Sequence, residues 1–180
     1  MVEVEFKADL SGLDPVELER AWKGLGFVPE GRVREVDVYY QGVDRDFRKT
    51  DEALRLRQEE GDRTACFLTY KGPKLDQVSC ARQELEVAVS DPDTTAELLE
   101  ALGLRPAFLV DKTRQTLRLE DVTLCLDQVA GLGPFLELEL LVEQEADRAA
   151  AEARLLAILD DLGVERHRLS RSSYLELLQQ

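Results

Sequence analysis

The 180-residue chain is 44% hydrophobic and 33% charged, a balance that supports a folded core in one large domain or two small ones. Its formal net charge of −14, from 23 basic and 37 acidic residues, argues against a general nucleic-acid binder or a partner of anionic membranes, both of which use a basic surface field. A small polyanion remains compatible, because local cation clusters and divalent metals override the global sign at short range.

The chain opens on alternation: Val2, Val4 and Phe6 interleave with Glu3, Glu5 and Lys7. A side-chain period of two puts these charges on one face of a strand. A charged strand at the start predicts no signal peptide, and the absence of any apolar run near 18 residues predicts no membrane helix. A helix is then expected from Asp14, with Pro15 at its first position and Glu17 completing a capping box. Leu18, Ala21, Trp22 and Leu25 form its apolar stripe, and Gly26 ends it. Strands follow near 34–41, 52–59, 64–71 and 80–89, with Gly61-Asp62 as a hairpin turn. A second helix starts at Asp91-Pro92, uses Leu98, Leu99 and Leu102 for packing, and stops at Gly103. Strands are expected at 108–119, broken or bulged, at 121–127 and at 135–142, with Glu120-Asp121 as a turn. A third helix over 144–162 offers Ala149, Ala153, Leu156, Leu159 and Leu162 before Gly163. A short fourth begins at Ser172 or Ser173 and includes Tyr174, Leu175, Leu177 and Leu178. Glu3-x-Glu5, Glu84-x-Glu86 and Glu137-x-Glu139 each sit in a strand followed by a helix ending in Leu-Gly. With no low-complexity linker between these modules, residues 1–180 read as a single domain.

In strand after strand, alternation places a set of charges on one face. Glu3, Glu5 and Lys7 share a face; so do Asp37 and Tyr39, Arg55 and Arg57, Thr69 and Lys71, and Arg82, Glu84 and Glu86. Lys112 shares a face with Arg114, and with Arg118 if the register holds; Cys125 goes with Asp127, and Glu137 with Glu139. The opposite faces carry Val38, Tyr40, Leu54, Leu56, Leu68, Tyr70, Leu85, Val87, Leu136 and Leu138, which amphipathic helices can cover. A single strand of this kind fits an open sheet with a solvated face, but repetition in every strand favours enclosure. The expected fold is α+β: an eight-stranded antiparallel β-barrel, or tunnel, with a charged lumen and flanking helices. Burying so much charge without a ligand or dense pairing is costly. Arginine and lysine match phosphate oxygens, and carboxylates hold a divalent cation against the same phosphates, so the lumen suits a polyphosphate.

Taken in order, the motifs Glu3-x-Glu5-x-Lys7, Asp37-x-Tyr39, Ala53-Leu54-Arg55-Leu56-Arg57, Thr69-Tyr70-Lys71-Gly72-Pro73, Arg82-x-Glu84-x-Glu86 and Lys112-x-Arg114 run through most of the chain. With Leu132-Gly133-x-Phe135-x-Glu137-x-Glu139, they resemble the CYTH superfamily, the triphosphate tunnel metalloenzymes. The Leu68–Lys74 segment and the ending Ser173-Tyr174-Leu175-Glu176-Leu177-Leu178 look most like its class IV adenylyl cyclase branch. Two departures lie near the expected tunnel entrance: Glu35 where that branch often carries Gln, and Tyr39-Tyr40-Gln41 in place of Tyr-Phe-Asp. The resemblance implies a homodimer, Mg²⁺ or Mn²⁺ as cofactor, and conversion of ATP to 3′,5′-cyclic AMP and pyrophosphate; the cysteine usage and the absence of a signal peptide point to the cytoplasm. The alternative is hydrolysis of tripolyphosphate, thiamine triphosphate or a nucleoside triphosphate on the same tunnel, and a third is binding without turnover. Lys7, Arg55, Arg57, Lys71, Arg82, Lys112 and Arg114 are the expected triphosphate ligands. Glu3, Glu5, Glu84, Glu86, Asp127, Glu137 and Glu139 are the candidate metal ligands, and Glu5, Lys7, Lys71 and Arg114 the candidate catalytic groups. No nucleic acid or membrane partner is expected.

Other residues have simpler readings. Trp22 is expected to pack a helix on the barrel, and His167, among Arg166, Arg168 and Arg171, to lie on the surface. Gly72-Pro73 reads as a turn, and no Walker motif is present. Cys66, Cys80 and Cys125 are widely spaced with no C-x-x-C, which predicts neither a disulfide framework nor a structural zinc site and fits a reducing compartment.

Overall fold

The computed structural model describes residues 2–61, 64–75 and 82–180. Cys80 and Asp62 of the expected hairpin turn lie outside the described residues. Strand β1 (Val2–Asp9) runs into helix α1 (Pro15–Leu25), followed by β2 (Val28–Gly42), β3 (Ala53–Glu60) and β4 (Thr64–Lys74). Strand β5 (Arg82–Ala88) leads to α2 (Pro92–Ala101), and β6 (Leu104–Leu119), β7 (Val122–Val129) and β8 (Gly133–Val142) lead to α3 (Arg148–Asp161). A two-residue strand β9 (Leu169–Ser170) and a single-turn helix α4 (Tyr174–Leu177) follow.

All pairings are antiparallel, in the order β5-β4-β3-β2-β6-β7-β8-β1, and the sheet closes where Val2 and Glu3 meet Gln83 and Arg82. The result is the expected closed eight-stranded barrel with helices on its outside; β9 adds to β1 at Lys7 and Ala8. Closure gives every strand a partner on both edges and separates an inner from an outer face at each alternate residue.

The strands β2 and β6 are longer than expected, at 15 and 16 residues, and pair with each other from Val28–Arg118 to Gly42–Leu104. Pro29, Gly31 and Pro106 obscure these extensions in the sequence, because proline and glycine normally interrupt strands. The pair accommodates them at two register shifts, between Pro29 and Gly31 and between Tyr39 and Tyr40.

The outer face of β1, β7 and β8 packs beneath α1 and α3, burying Val4, Phe6, Leu124, Leu136, Leu138, Trp22, Leu155 and Leu159 in one cluster. Each such side chain contributes about 1.5–3 kcal/mol of transfer free energy. Helix α1 begins as expected at Asp14, whose carboxylate accepts from the Val16 N–H at 2.9 Å, but without the reciprocal Glu17 bond. Gly26 ends it at φ +92°, a conformation that favours glycine. In α3 the buried face is Ala151, Leu155, Ile158 and Leu159, so the expected packing roles of Ala149 and Ala153 are corrected: both are exposed. Helix α2 buries Leu99 against Tyr40, Leu56 and Cys66, whereas Leu98 and Leu102 face outward, again unlike the expectation. Its cover stops short of β5, leaving Leu85 and Val87 exposed. Among the described residues no helix is long and apolar enough to cross a membrane.

Candidate functional site

The lumen is an elongated cavity of about 340 Å³, lined by ten carboxylate and nine cationic side chains. It gathers Glu3, Glu5, Lys7, Arg55, Arg57, Lys71, Arg82, Glu84, Glu86, Lys112, Arg114, Glu137 and Glu139 from six strands. Asp127 contacts this wall through Arg114 and Lys112. Alternation is the physical reason: residues two apart on a strand share a face, so each of these sets falls on the inner wall together.

Each of the seven expected triphosphate ligands has a carboxylate or carbonyl partner. Arg57 forks onto Asp37, Nε to Oδ1 at 2.6 Å and Nη2 to Oδ2 at 2.8 Å, and reaches Glu35 at 2.9 Å. Arg55 lies 3.5 Å from Asp37 and 3.9 Å from Glu84. Lys71 sits between Glu84 at 2.7 Å and Glu3 at 3.2 Å. Lys112 bridges Glu35 and Asp127, each at 3.2 Å. Arg114 forks onto Asp127 at 2.8 and 2.6 Å and also contacts Glu137 and, at 3.6 Å, Glu139. Lys7 meets Glu137 at 3.2 Å and Glu5 at 3.3 Å. Arg82 donates to the Gly72 carbonyl at 3.3 Å, with Asp51 3.8 Å away.

This pairing sets the electrostatics. Burial works to raise the Asp37 carboxyl, but Arg55, Arg57 and Lys112 outweigh it and hold Asp37 well below the usual range. Glu137 is held down in the same way, against its burial, by Lys7, Arg114 and Lys112. Glu139 goes the other way. Burial, then the charge of Glu3, then Glu137 and Glu5, push it up to about 8 despite Arg114. Glu3 is also raised, first by burial and further by Glu84, against the pull of Lys71. Cys125, on the same face, is raised by burial and by Glu139.

The side chains of Glu3, Glu5, Glu137 and Glu139 have the chemistry to hold a divalent cation. The raised Glu139 marks an excess of carboxylate, and Glu5 Oε1 is buried without a hydrogen bond. An all-carboxylate oxygen donor set suits Mg²⁺ or Mn²⁺. Among the described residues, however, no three such side chains already form a cage; most are turned toward lysine or arginine. The residues fit the ion in chemistry, and loading requires them to exchange partners.

Three inner-face residues extend the sequence reading. Glu35, 3% exposed, bonds Arg57 and Lys112, and its alternation with Asp37 and Tyr39 carries the signal that places it there. Asp51 sits at the mouth with φ +53° and binds Lys74. Tyr174 enters the lumen from α4, where no periodicity marks it. Arg118 lies outside the cavity, bonding Thr123 and Glu30 beyond the β2 irregularity. Trp22 is in the helix–barrel core, and His167 is exposed.

The profile of the CYTH domain family matches residues 1–174. A Methanocaldococcus jannaschii protein that carries the provisional name adenylate cyclase is 37% identical over 177 residues, spanning 98% of both chains. Adenylate cyclase CyaB of Aeromonas hydrophila is 25% identical over 99% of this chain and 89% of its own length. The solved structure of the PH1819 protein from Pyrococcus horikoshii OT3 superposes with a TM-score of 0.89 at 42% identity, covering 98% of each chain.

Proposed function

This chain belongs to the CYTH domain family, and from that premise we propose that it is a metal-dependent adenylyl cyclase of the class IV kind, converting ATP to 3′,5′-cyclic AMP and pyrophosphate. The single observation that carries the reading is the enclosed wall of buried arginines and lysines, each held by a carboxylate that a phosphate oxygen can displace. Arg55, Arg57, Lys71, Arg82, Lys112 and Arg114 cradle the triphosphate and neutralise charge that develops on the leaving pyrophosphate. Lys7, paired with Glu5 and Glu137, joins that cradle as a further phosphate ligand. Carboxylates released by those cations, chiefly Glu3, Glu5, Glu137 and Glu139, hold the divalent ion, with Glu84 and Glu86 along the β5 wall. Mg²⁺ or Mn²⁺ there supplies Lewis-acid polarisation of the phosphoryl group and a lowered pKa for the attacking 3′ hydroxyl. Asp127, whose oxygens already accept from Arg114, Lys112 and Tyr174, orients the cationic wall.

The second reading is hydrolysis of a triphosphate by water on the same wall. The mouth favours it: the Gln41 amide oxygen accepts from the Phe47 N–H at 2.9 Å and Arg48 forks onto Asp46 at 3.0 and 3.1 Å, so these groups are engaged before any base arrives. Chromatography with mass detection after incubation with ATP or tripolyphosphate and Mg²⁺ or Mn²⁺ separates the two. Cyclic AMP with stoichiometric pyrophosphate supports the cyclase; orthophosphate without cyclic AMP replaces it with the hydrolase.

A further inference from the structure

The barrel seam is uneven. On one edge β1 bonds β8 from Val2 to Asp9, but on the other it meets β5 only at Val2 and Glu3, and β9 takes over at Lys7 and Ala8. The segment from β9 into α4 therefore crosses the wall beside Lys7, and the Ser172 carbonyl lies 3.4 Å from Lys7 Nζ. A capping box fixes the entry turn: Ser173 Oγ accepts from the Glu176 N–H at 3.2 Å, and the Glu176 carboxylate accepts from the Ser173 N–H at 2.6 Å.

That turn delivers Tyr174 into the lumen, 6% exposed. Its ring centroid lies 4.5 Å from Lys7 Nζ and 5.0 Å from Lys112 Nζ, with Phe135 packed edge-on at 5.3 Å. Its hydroxyl donates to Asp127 Oδ2 at 2.9 Å, the oxygen that also takes Lys112 at 3.2 Å. An ammonium group within about 6 Å of an aromatic centroid is attracted by the ring quadrupole, more strongly where water is excluded. A side chain that merely filled the space would exert no such hold. When an anion takes the lysines it replaces Glu5 and Glu137 at Lys7 and Glu35 at Lys112, whereas Asp127 and the ring beside it stay.

We infer that Tyr174 is a positioning residue of the tunnel: its ring, seated by the Ser173 capping turn and by Phe135, sets the ammonium groups of Lys7 and Lys112 where they meet a bound phosphate chain, and the hydroxyl bond to Asp127 is a lesser support. This rests on the triphosphate reading for the identity of the anion, and on the local geometry alone for the hold on the lysines.

The test is a calorimetric titration of tripolyphosphate with Mg²⁺ into the parent protein, Tyr174→Phe and Tyr174→Leu, beside NMR of ¹³C-lysine-labelled samples without ligand. Lys7→Arg and Lys112→Arg assign the two lysine signals. Tyr174→Phe is expected to bind within about threefold of the parent and Tyr174→Leu at least about tenfold more weakly. The Cε protons of Lys7 and Lys112 are expected upfield in the parent and the Phe variant, and at ordinary lysine positions in the Leu variant. Parent-like affinity in Tyr174→Leu overturns the inference, and tighter binding overturns it in favour of a plug. Equal weakening in Phe and Leu also overturns it, since the hydroxyl would then be the agent. If the Leu variant does not fold, ordinary lysine shifts in the parent overturn the inference and upfield shifts sustain it. If the parent binds no tripolyphosphate, the triphosphate reading fails, and the lysine shifts still decide the hold of the ring.

Discussion

At the scale of single residues, the lumen opposes two carboxylates only two positions apart. Glu137 is kept ionised by Lys7, Arg114 and Lys112, while Glu139 is pushed up to about 8 by burial and by Glu3. Between its ordinary value of 4.5 and about 8, the folded protein keeps a proton on Glu139 that the unfolded chain has lost. Stability from this group therefore falls as pH rises through that window. Glu139→Gln removes the slope: without metal, the variant should match the parent near pH 5 and exceed it by about 1–3 kcal/mol near pH 9. Urea unfolding at the two pH values checks this, and an equal difference at both would contradict it. Arg57 has the opposite character, since Asp37 and Glu35 depend on it for pairing. Arg57→Ala leaves both buried carboxylates short of a partner and should cost about 3–5 kcal/mol of stability as well as phosphate affinity. A loss under about 1 kcal/mol in the same unfolding assay would show that water or neighbouring cations take its place.

At the scale of elements, alternation in the sequence was sufficient to place the inner face of the strands, because a period of two survives any closure or tilt of the sheet. Glu3, Glu5 and Lys7 emerge on one wall as their spacing requires, and so do Arg55 and Arg57. What alternation could not carry was the extent of β2 and β6, where Pro29, Gly31 and Pro106 lie inside bulged pairing. Nor could it carry the rotation of the helices about their own axes. Leu98, Leu99 and Leu102 form an apolar group in sequence, yet of the three only Leu99 reaches the barrel, and Leu98 and Leu102 stay exposed. Leu99→Ala should accordingly cost about 2–5 kcal/mol, whereas Leu98→Ala should stay within about 0.5 kcal/mol. Thermal melts of the two variants compare them directly, and equal losses would contradict this division of the helix. Tyr174 was the least legible site residue: a single-turn helix has too few residues for periodicity, and its place in the lumen comes from the β9 pairing.

At the scale of the whole molecule, closure reconciles a chain of net charge −14 with an anionic ligand. The lumen is close to balance, with ten carboxylates against nine cations, and its ion pairs stand in for what it binds. A phosphate chain that takes the arginines and lysines frees carboxylates in a low-dielectric interior, which is costly unless a divalent cation takes them in turn. Anion and metal should therefore enter as a linked pair, each raising the affinity for the other by the same factor. Calorimetric titration of tripolyphosphate with and without Mg²⁺ measures that factor without requiring turnover. The predicted result is binding that strengthens by about 5–150-fold when Mg²⁺ is present, with reciprocal strengthening of Mg²⁺ binding by tripolyphosphate. No tripolyphosphate binding under either condition, or affinity indifferent to Mg²⁺, would contradict the assignment of this lumen as a metal-assisted triphosphate site.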